Sequence, residues 1–155
     1  MKKFLLTIAM VAFGFAANAQ DGEFNVGGNI GLPTGDASDA FDIVGSIEAN
    51  YLFNVAEGFK VGPSVSYIQF NREAADISFL PVAAAARYSV SEKFVVGADL
   101  GYGIGMINDT DSGFYYRPMV GYEVYENISL QATFAGFSLD GATASTVGLG
   151  ATYSF

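Results

Sequence analysis

Large apolar residues alternate with small or polar ones along most of the chain. The clearest stretch runs from Phe94 to Met106, where every second residue is apolar and the residues between are mainly glycines and one aspartate. A period of two places successive side chains on opposite faces of a β-strand. Seven further stretches show the same alternation, so the sequence predicts eight strands. The predicted strands cover residues 23–32, 43–53, 59–70, 77–89, 94–106, 114–124, 128–135 and 147–155.

The fourth predicted strand permits a helix as an alternative. Residues 83–86 are four consecutive alanines, and alanine has the highest helix propensity of all residues. Pro81 before this run, and Tyr88 and Val90 after it, favour a strand instead.

The segment from Val147 to Phe155 suggests the environment of the sheet. One of its faces is apolar and ends in Tyr153 and Phe155, whereas the other carries only glycine, threonine and serine. Terminal segments usually fray in water, but in a bilayer the apolar face would meet lipid and the last rings would lie among the headgroups. We therefore expect this segment to close a barrel.

The predicted fold class is an all-β, eight-stranded, up-and-down antiparallel transmembrane β-barrel. The connections predicted to be long (33–42, 71–76, 107–113 and 139–144) alternate with short ones (54–58, 90–93 and 125–127). Such inequality is typical of external loops and periplasmic turns, and an even strand number places both chain ends on the periplasmic side. Aromatic residues also gather near the strand ends, as in the two aromatic girdles of such barrels. A soluble lipocalin-like barrel remains the alternative.

The first 19 residues have the features of a signal peptide. Lys2 and Lys3 precede an apolar stretch, and Ala17-Asn18-Ala19 provides the small residues of a cleavage site. A membrane-anchor helix is the alternative, but the apolar stretch is short for a span. We expect residues 1–19 to be the signal peptide and residues 20–155 to form the barrel domain.

Charge and residue types exclude several functions. Without residues 1–19 the chain has five basic and sixteen acidic side chains, a net charge of −11, which argues against nucleic-acid binding. The absence of histidine and cysteine excludes Ser-His couples, thiol catalysis, disulfides and imidazole or thiolate metal sites. A carboxylate pair could still act as acid and base, and loop acids could bind calcium, but we expect no enzyme activity, cofactor or metal site.

Six charged residues are predicted to face the barrel interior. An eight-stranded barrel is just wide enough to be filled by its own side chains, and isolated buried charges are costly, so we expect three cations and three anions to pair across the lumen. This network would be structural, or its pairs would exchange partners to gate a narrow pore. The six residues are Glu48, Lys60, Arg87, Asp99, Arg117 and Glu123.

Two further expectations concern the backbone. Proline removes a hydrogen-bond donor from a sheet, so Pro63, Pro81 and Pro118 should coincide with bulges or locally widened pairing. The predicted register places Gly105 opposite Tyr115, whose ring would cover the glycine.

The cleavage region before Gln20, the alternating strands and the terminal Tyr153-Ser154-Phe155 resemble the small outer-membrane β-barrel family of Gram-negative bacteria, of which OmpA/OmpX-type barrels are the best-known members. The resemblance implies a bacterial outer-membrane location, contact with outer-membrane lipids, and insertion by the barrel-assembly machinery, which would read the C-terminal strand. The chain departs from the family in its short loops and its lack of tryptophan. We expect a monomer with a structural role; the alternatives are a low-conductance pore or a surface-binding module acting through loops 33–42 and 107–113.

Overall fold

Eight antiparallel strands close into a barrel in chain order, with β1 paired to β8. The structure, a computed structural model, describes residues 22–39, 41–71, 76–106 and 110–155. The strands are β1 (Gly22–Thr34), β2 (Ile43–Ala56), β3 (Phe59–Asn71), β4 (Ile77–Ser89), β5 (Phe94–Gly105), β6 (Gly113–Tyr125), β7 (Ile128–Leu139) and β8 (Ala142–Ser154), and a 3-10 turn lies at Gly35–Ala37. The predicted fold class is confirmed. The predicted signal peptide at residues 1–19 lies outside the described residues.

The alanine run of β4 is a strand and not a helix. Ala84 pairs with Pro63 on one side and with Leu100 on the other. Backbone pairing with both neighbours therefore outweighs the helix propensity of alanine, as tertiary context commonly does. No described segment forms a helix long and apolar enough to cross a membrane.

The two ends of the barrel differ in their connections. At one end, called the turn end, the strands are joined by residues 57–58, 90–93 and 126–127; at the other, called the loop end, they are joined by residues 35–42, 72–76, 106–112 and 140–141. The predicted long connection at 139–144 is wrong, because β7 and β8 continue to a two-residue turn. Gly141 adopts a φ of 84° there, a left-handed conformation that glycine reaches without steric strain.

Alternation sorts side chains between the outer and inner faces of the barrel as predicted. Ile30 and Leu149, which are cross-strand partners, leave 68% and 70% of their surface exposed on the outside. The inner face buries polar residues instead, including Asn50 and Asp99. Aromatic pairs mark the two rims: Phe94 and Tyr122 have ring centroids 5.0 Å apart at the turn end. A soluble barrel would bury its apolar face, so this distribution fits a barrel in lipid.

Pro63, Pro81 and Pro118 each coincide with a gap in one ladder, whereas Pro33 in β1 pairs with Thr146 in an unbroken ladder. Two residue pairs are missing beside Pro63 between β2 and β3, two beside Pro81 between β3 and β4, and two beside Pro118 between β6 and β7. The register is the same on both sides of each gap. The prediction of locally interrupted pairing is confirmed, whereas bulges at the prolines are not found. The register shifts instead lie next to the turns, at Asn54/Ala56 and Glu123/Tyr125.

The predicted juxtaposition of Gly105 and Tyr115 is wrong. Tyr115 pairs with Gly101, because the β5–β6 ladder already ends at Gly103. An aromatic ring in the lumen instead covers Gly103: a Cβ placed on this glycine would lie 2.5 Å from Cε1 of Phe137. A ring therefore covers a glycine in the lumen as expected, but the ring belongs to β7, two strands away from the glycine on β5.

Candidate functional site

Arg117 belongs to a group of four charged side chains at mid-height in the lumen. Two of the other three contact Arg117 directly, and the third contacts one of those two. Arg117 on β6 and Asp99 on β5 are cross-strand partners, and Arg117 Nη2 lies 2.7 Å from Asp99 Oδ2. The same nitrogen donates to Oε2 of Glu48, which reaches across from β2. Arg87 Nη1 completes the group at 2.6 Å from Asp99 Oδ1. We call these four residues the central network.

The central network is almost fully withdrawn from water. Its four side chains are exposed by at most 8%, and Asp99 by 0%. Burial of ions costs several kcal/mol each, roughly, and ion pairing offsets that cost only if neighbouring hydrogen bonds satisfy the remaining atoms. Here Asn29 donates to Glu48 Oε1 at 3.3 Å, and Gln131 donates to the same oxygen and, at 2.8 Å, to Asn29 Oδ1. This arrangement can hold strands β2, β5 and β6 in a fixed relation.

Two of the six predicted lumen charges lie apart from the central network. Lys60 binds Glu23 of β1 at 2.8 Å, and both side chains are about one-third exposed. Glu123 forms no ion pair with any described residue and lies next to the β6–β7 turn. The six predicted lumen charges therefore do not include Glu23, the actual partner of Lys60. Its position on the polar face of the first predicted strand is the sequence signal that could have identified it.

Four aromatic rings fill the lumen on the loop side of the central network. Phe70, Phe79, Tyr115 and Phe137 are all 0% exposed, and we call them the aromatic plug. Phe79 and Phe137 stack with ring centroids 4.2 Å apart, and Phe137 lies 5.1 Å from Tyr115. Phe41, in the loop after β1, packs on Phe70 at 5.5 Å.

The turn side of the central network is open. A cavity of about 90 Å³ lies there, and we call it the turn-end cavity. Most of its lining residues are polar and stand near strand ends; they include Glu23, Lys60, Arg87, Ser129, Thr152 and Ser154. At roughly 10–15 Å³ for each water centre, the volume has room for several water molecules.

The loop acids show no metal site among the residues that the structure describes. No group of three or more acidic side chains comes close enough to hold an ion there. Asp109 and the side chain of Asp36 lie outside the described part of the chain.

A closed, apolar-surfaced barrel with a polar lumen defines a transmembrane β-barrel of the bacterial outer membrane. Residues 4–155 match the family model described as outer membrane protein beta-barrel domain, and the chain belongs to that family. Comparison with curated protein sequences finds no significant match.

Solved structures share the fold at low sequence identity. Ail, the attachment invasion locus protein of Yersinia pestis, aligns with 86% of this chain and 97% of its own, at 16% identity and a TM-score of 0.62. The N-terminal barrel domain of Pseudomonas aeruginosa OprF gives the same coverage at 13% identity and a TM-score of 0.56. Neisserial surface protein A gives 14% identity and a TM-score of 0.55, again with 86% and 97% covered. At these identities the likeness shows the fold alone. The predicted family resemblance and outer-membrane location are confirmed.

Proposed function

We propose that this chain is a structural outer-membrane barrel whose lumen is closed to ions by two successive layers. The observation that carries the proposal is the aromatic plug, with four rings at 0% exposure, stacked above a central network exposed by at most 8%. An ion crossing the lumen would have to separate buried ion pairs and then enter an apolar layer, and both steps cost several kcal/mol, roughly.

A narrow pore is the second candidate. Arg117 already contacts two carboxylates, those of Glu48 and Asp99, so a partner exchange needs only a small side-chain movement. The aromatic plug argues against this candidate, because such an exchange would leave the rings in place.

Conductance in planar bilayers tests the choice between closed barrel and pore. We expect no steady current from the unaltered chain, from Arg117→Ala or from Phe137→Ala, and current only when both layers are opened in the double variant. Phe134→Ala is the matched control, because Phe134 lies on the same strand but at a position that faces the outside of the barrel. Heat-modifiable gel migration verifies that each variant is a folded barrel. A steady wild-type current that Arg117→Ala alters would establish the pore instead.

A surface-binding role is the third candidate, and charge limits its partners. The connections at the loop end contain eight acidic residues and a single arginine. Ail has been crystallised with the heparin analogue sucrose octasulfate, a polyanion. We infer that this chain does not share that ligand class, since like charges at an exposed surface repel. A cationic partner would suit the acidic loops.

We also propose that the chain acts as a monomer in contact with outer-membrane lipids and that the barrel-assembly machinery reads strand β8. Phe155 supports this, because it is 73% exposed and packs on Phe24 at 5.8 Å, at the seam where β1 meets β8. Assembly into vesicles that contain the machinery should slow for Phe155→Ala and not for Phe114→Ala at the loop end. Equal rates would contradict the proposal. A chain without histidine or cysteine supports the inference that it is not an enzyme.

A further inference from the structure

Two cations face each other on the wall of the turn-end cavity. Lys60 on β3 and Arg87 on β4 are direct cross-strand partners, and both line the cavity. Like charges directly opposite each other on one face of a sheet are destabilising. Their present partners lie in different directions, Glu23 on β1 for Lys60 and Asp99 on β5 for Arg87.

Both cations have donors beyond those used by these partners. The hydrogen bonds of Arg87 to Ala86, Ala98 and Asp99 are all donated by Nη1, whereas a guanidinium carries five N–H donors on three nitrogens. Lys60 Nζ bonds to Glu23, and an ammonium has three donors. Nε and Nη2 of Arg87 and the other hydrogens of Lys60 are therefore the groups suited to a further acceptor.

We propose that the turn-end cavity binds a small oxyanion, a phosphate or a carboxylate, between Lys60 and Arg87. The negative ligand would relieve the repulsion between the two cations and accept charge-assisted hydrogen bonds from both. Hydroxyls on the other strands add polar contacts, because Ser129 and Thr152 pair across β7 and β8 and line the same cavity.

Cavity size limits the ligand to a small group. The volume of about 90 Å³ is smaller than an apolar cavity of about 150 Å³ that holds benzene. The site therefore takes either a free ion or the charged end of a longer molecule that enters from the turn end. Because turns of outer-membrane barrels face the periplasm, the ligand would come from that compartment.

Nuclear magnetic resonance titration of the full chain, folded in detergent micelles, tests the site. Inorganic phosphate and N-acetyl-alanine are the two probes, added at constant ionic strength set with chloride. The reporters are the amide signals of Gly121, which lines the cavity, and of Gly97, where an added Cβ would lie 2.5 Å from Arg87 Cδ. We expect saturable shifts with a midpoint in the millimolar range, roughly.

Three variants locate the binding. Lys60→Gln should raise the midpoint by about tenfold or abolish saturation, and Lys93→Gln, which removes the same charge from the exposed β4–β5 turn, should leave it unchanged. Gly121→Leu keeps both cations but fills the cavity with a leucine side chain, for which there is room because a Cβ at Gly121 meets no atom closer than 3.5 Å. This variant should also abolish saturation.

If both probes give saturable shifts, a free oxyanion is sufficient for binding. If N-acetyl-alanine alone gives saturable shifts, the ligand is the charged end of a longer molecule. Non-saturating shifts with both probes, or equal effects of Lys60→Gln and Lys93→Gln, would overturn the proposal.

Discussion

Replacement of Arg117 by methionine removes a cation that contacts both Glu48 and Asp99. The two carboxylates are left in different situations. Asp99 keeps its ion pair with Arg87, whereas the contacts left to Glu48 among the described residues are the neutral amides of Asn29 and Gln131. With a side-chain exposure of 1%, Glu48 becomes a buried charge without a counterion.

The expected loss of stability follows from that orphaned carboxylate. Removal of one partner of a buried ion pair typically costs about 3–5 kcal/mol, most of it from the uncompensated charge, whereas replacement of the whole pair by neutral groups is often near neutral. We therefore expect Arg117→Met to lower the free energy of unfolding by about 3–5 kcal/mol. Adding Glu48→Gln should recover most of that loss, because glutamine can still bond to its amide neighbours. Lys60→Met, which breaks a pair that is about one-third exposed, should cost at most about 1 kcal/mol.

Equilibrium unfolding by urea from lipid vesicles measures these differences. The chain has no tryptophan, so β-sheet circular dichroism reports the folded fraction, and heat-modifiable migration verifies the barrel at zero urea. The reasoning fails if Arg117→Met is no more destabilising than Lys60→Met. It also fails if the variant carrying Arg117→Met and Glu48→Gln is as unstable as Arg117→Met alone.

Other predictions concern the aromatic plug and the loops. Phe137→Ala should lower the free energy of unfolding by about 3–5 kcal/mol, because it leaves a cavity among fully buried rings. Gly103→Ala should cost about 1–3 kcal/mol, because the added methyl group overpacks against the Phe137 ring. The double variant should lose less stability than the sum of the two single losses, since truncation of the ring makes room for the methyl group. Urea unfolding measures all three variants. Immobilised protein carrying Lys60→Gln, which removes a cation of the turn-end cavity, should retain no sucrose octasulfate at low ionic strength, and retention reversed by salt would contradict the charge argument for the acidic loops.

The strands and their faces could be predicted from the sequence because the side-chain period of a strand is fixed. A shift of one residue would turn Leu100 inward and Asp99 outward, so burial in lipid specifies the phase of each strand. The same parity identifies Glu48 and Arg117 as lumen residues. The alternation of faces does not determine which lumen charges contact each other. Glu48 and Arg117, for example, contact each other across the barrel, and that contact depends on the stagger between strands.

Three of the four rings of the aromatic plug are absent from the sequence-based predictions. Phe70, Phe79 and Phe137 lie on the same parity as inward polar residues, so the signal was present in the sequence. The predicted aromatic belts contain none of these three rings, and of the four plug residues only Tyr115 is predicted to face the lumen, where its ring covers a glycine. Three-dimensional packing shows that a ring at the inward parity near a strand end fills the barrel mouth instead.

Side-chain volume explains why the lumen has three zones in this order. Strand number and stagger fix the interior width along the whole barrel, so large rings fit only beside residues without side chains, as Phe137 does beside Gly103. Toward the turn end no aromatic ring is among the described residues that line the lumen, which leaves the turn-end cavity. A solute entering there reaches Lys60 and Arg87 before the other members of the central network and reaches the aromatic plug last. The same distribution of volume thus closes the barrel at the loop end and leaves two cations lining the cavity at the turn end.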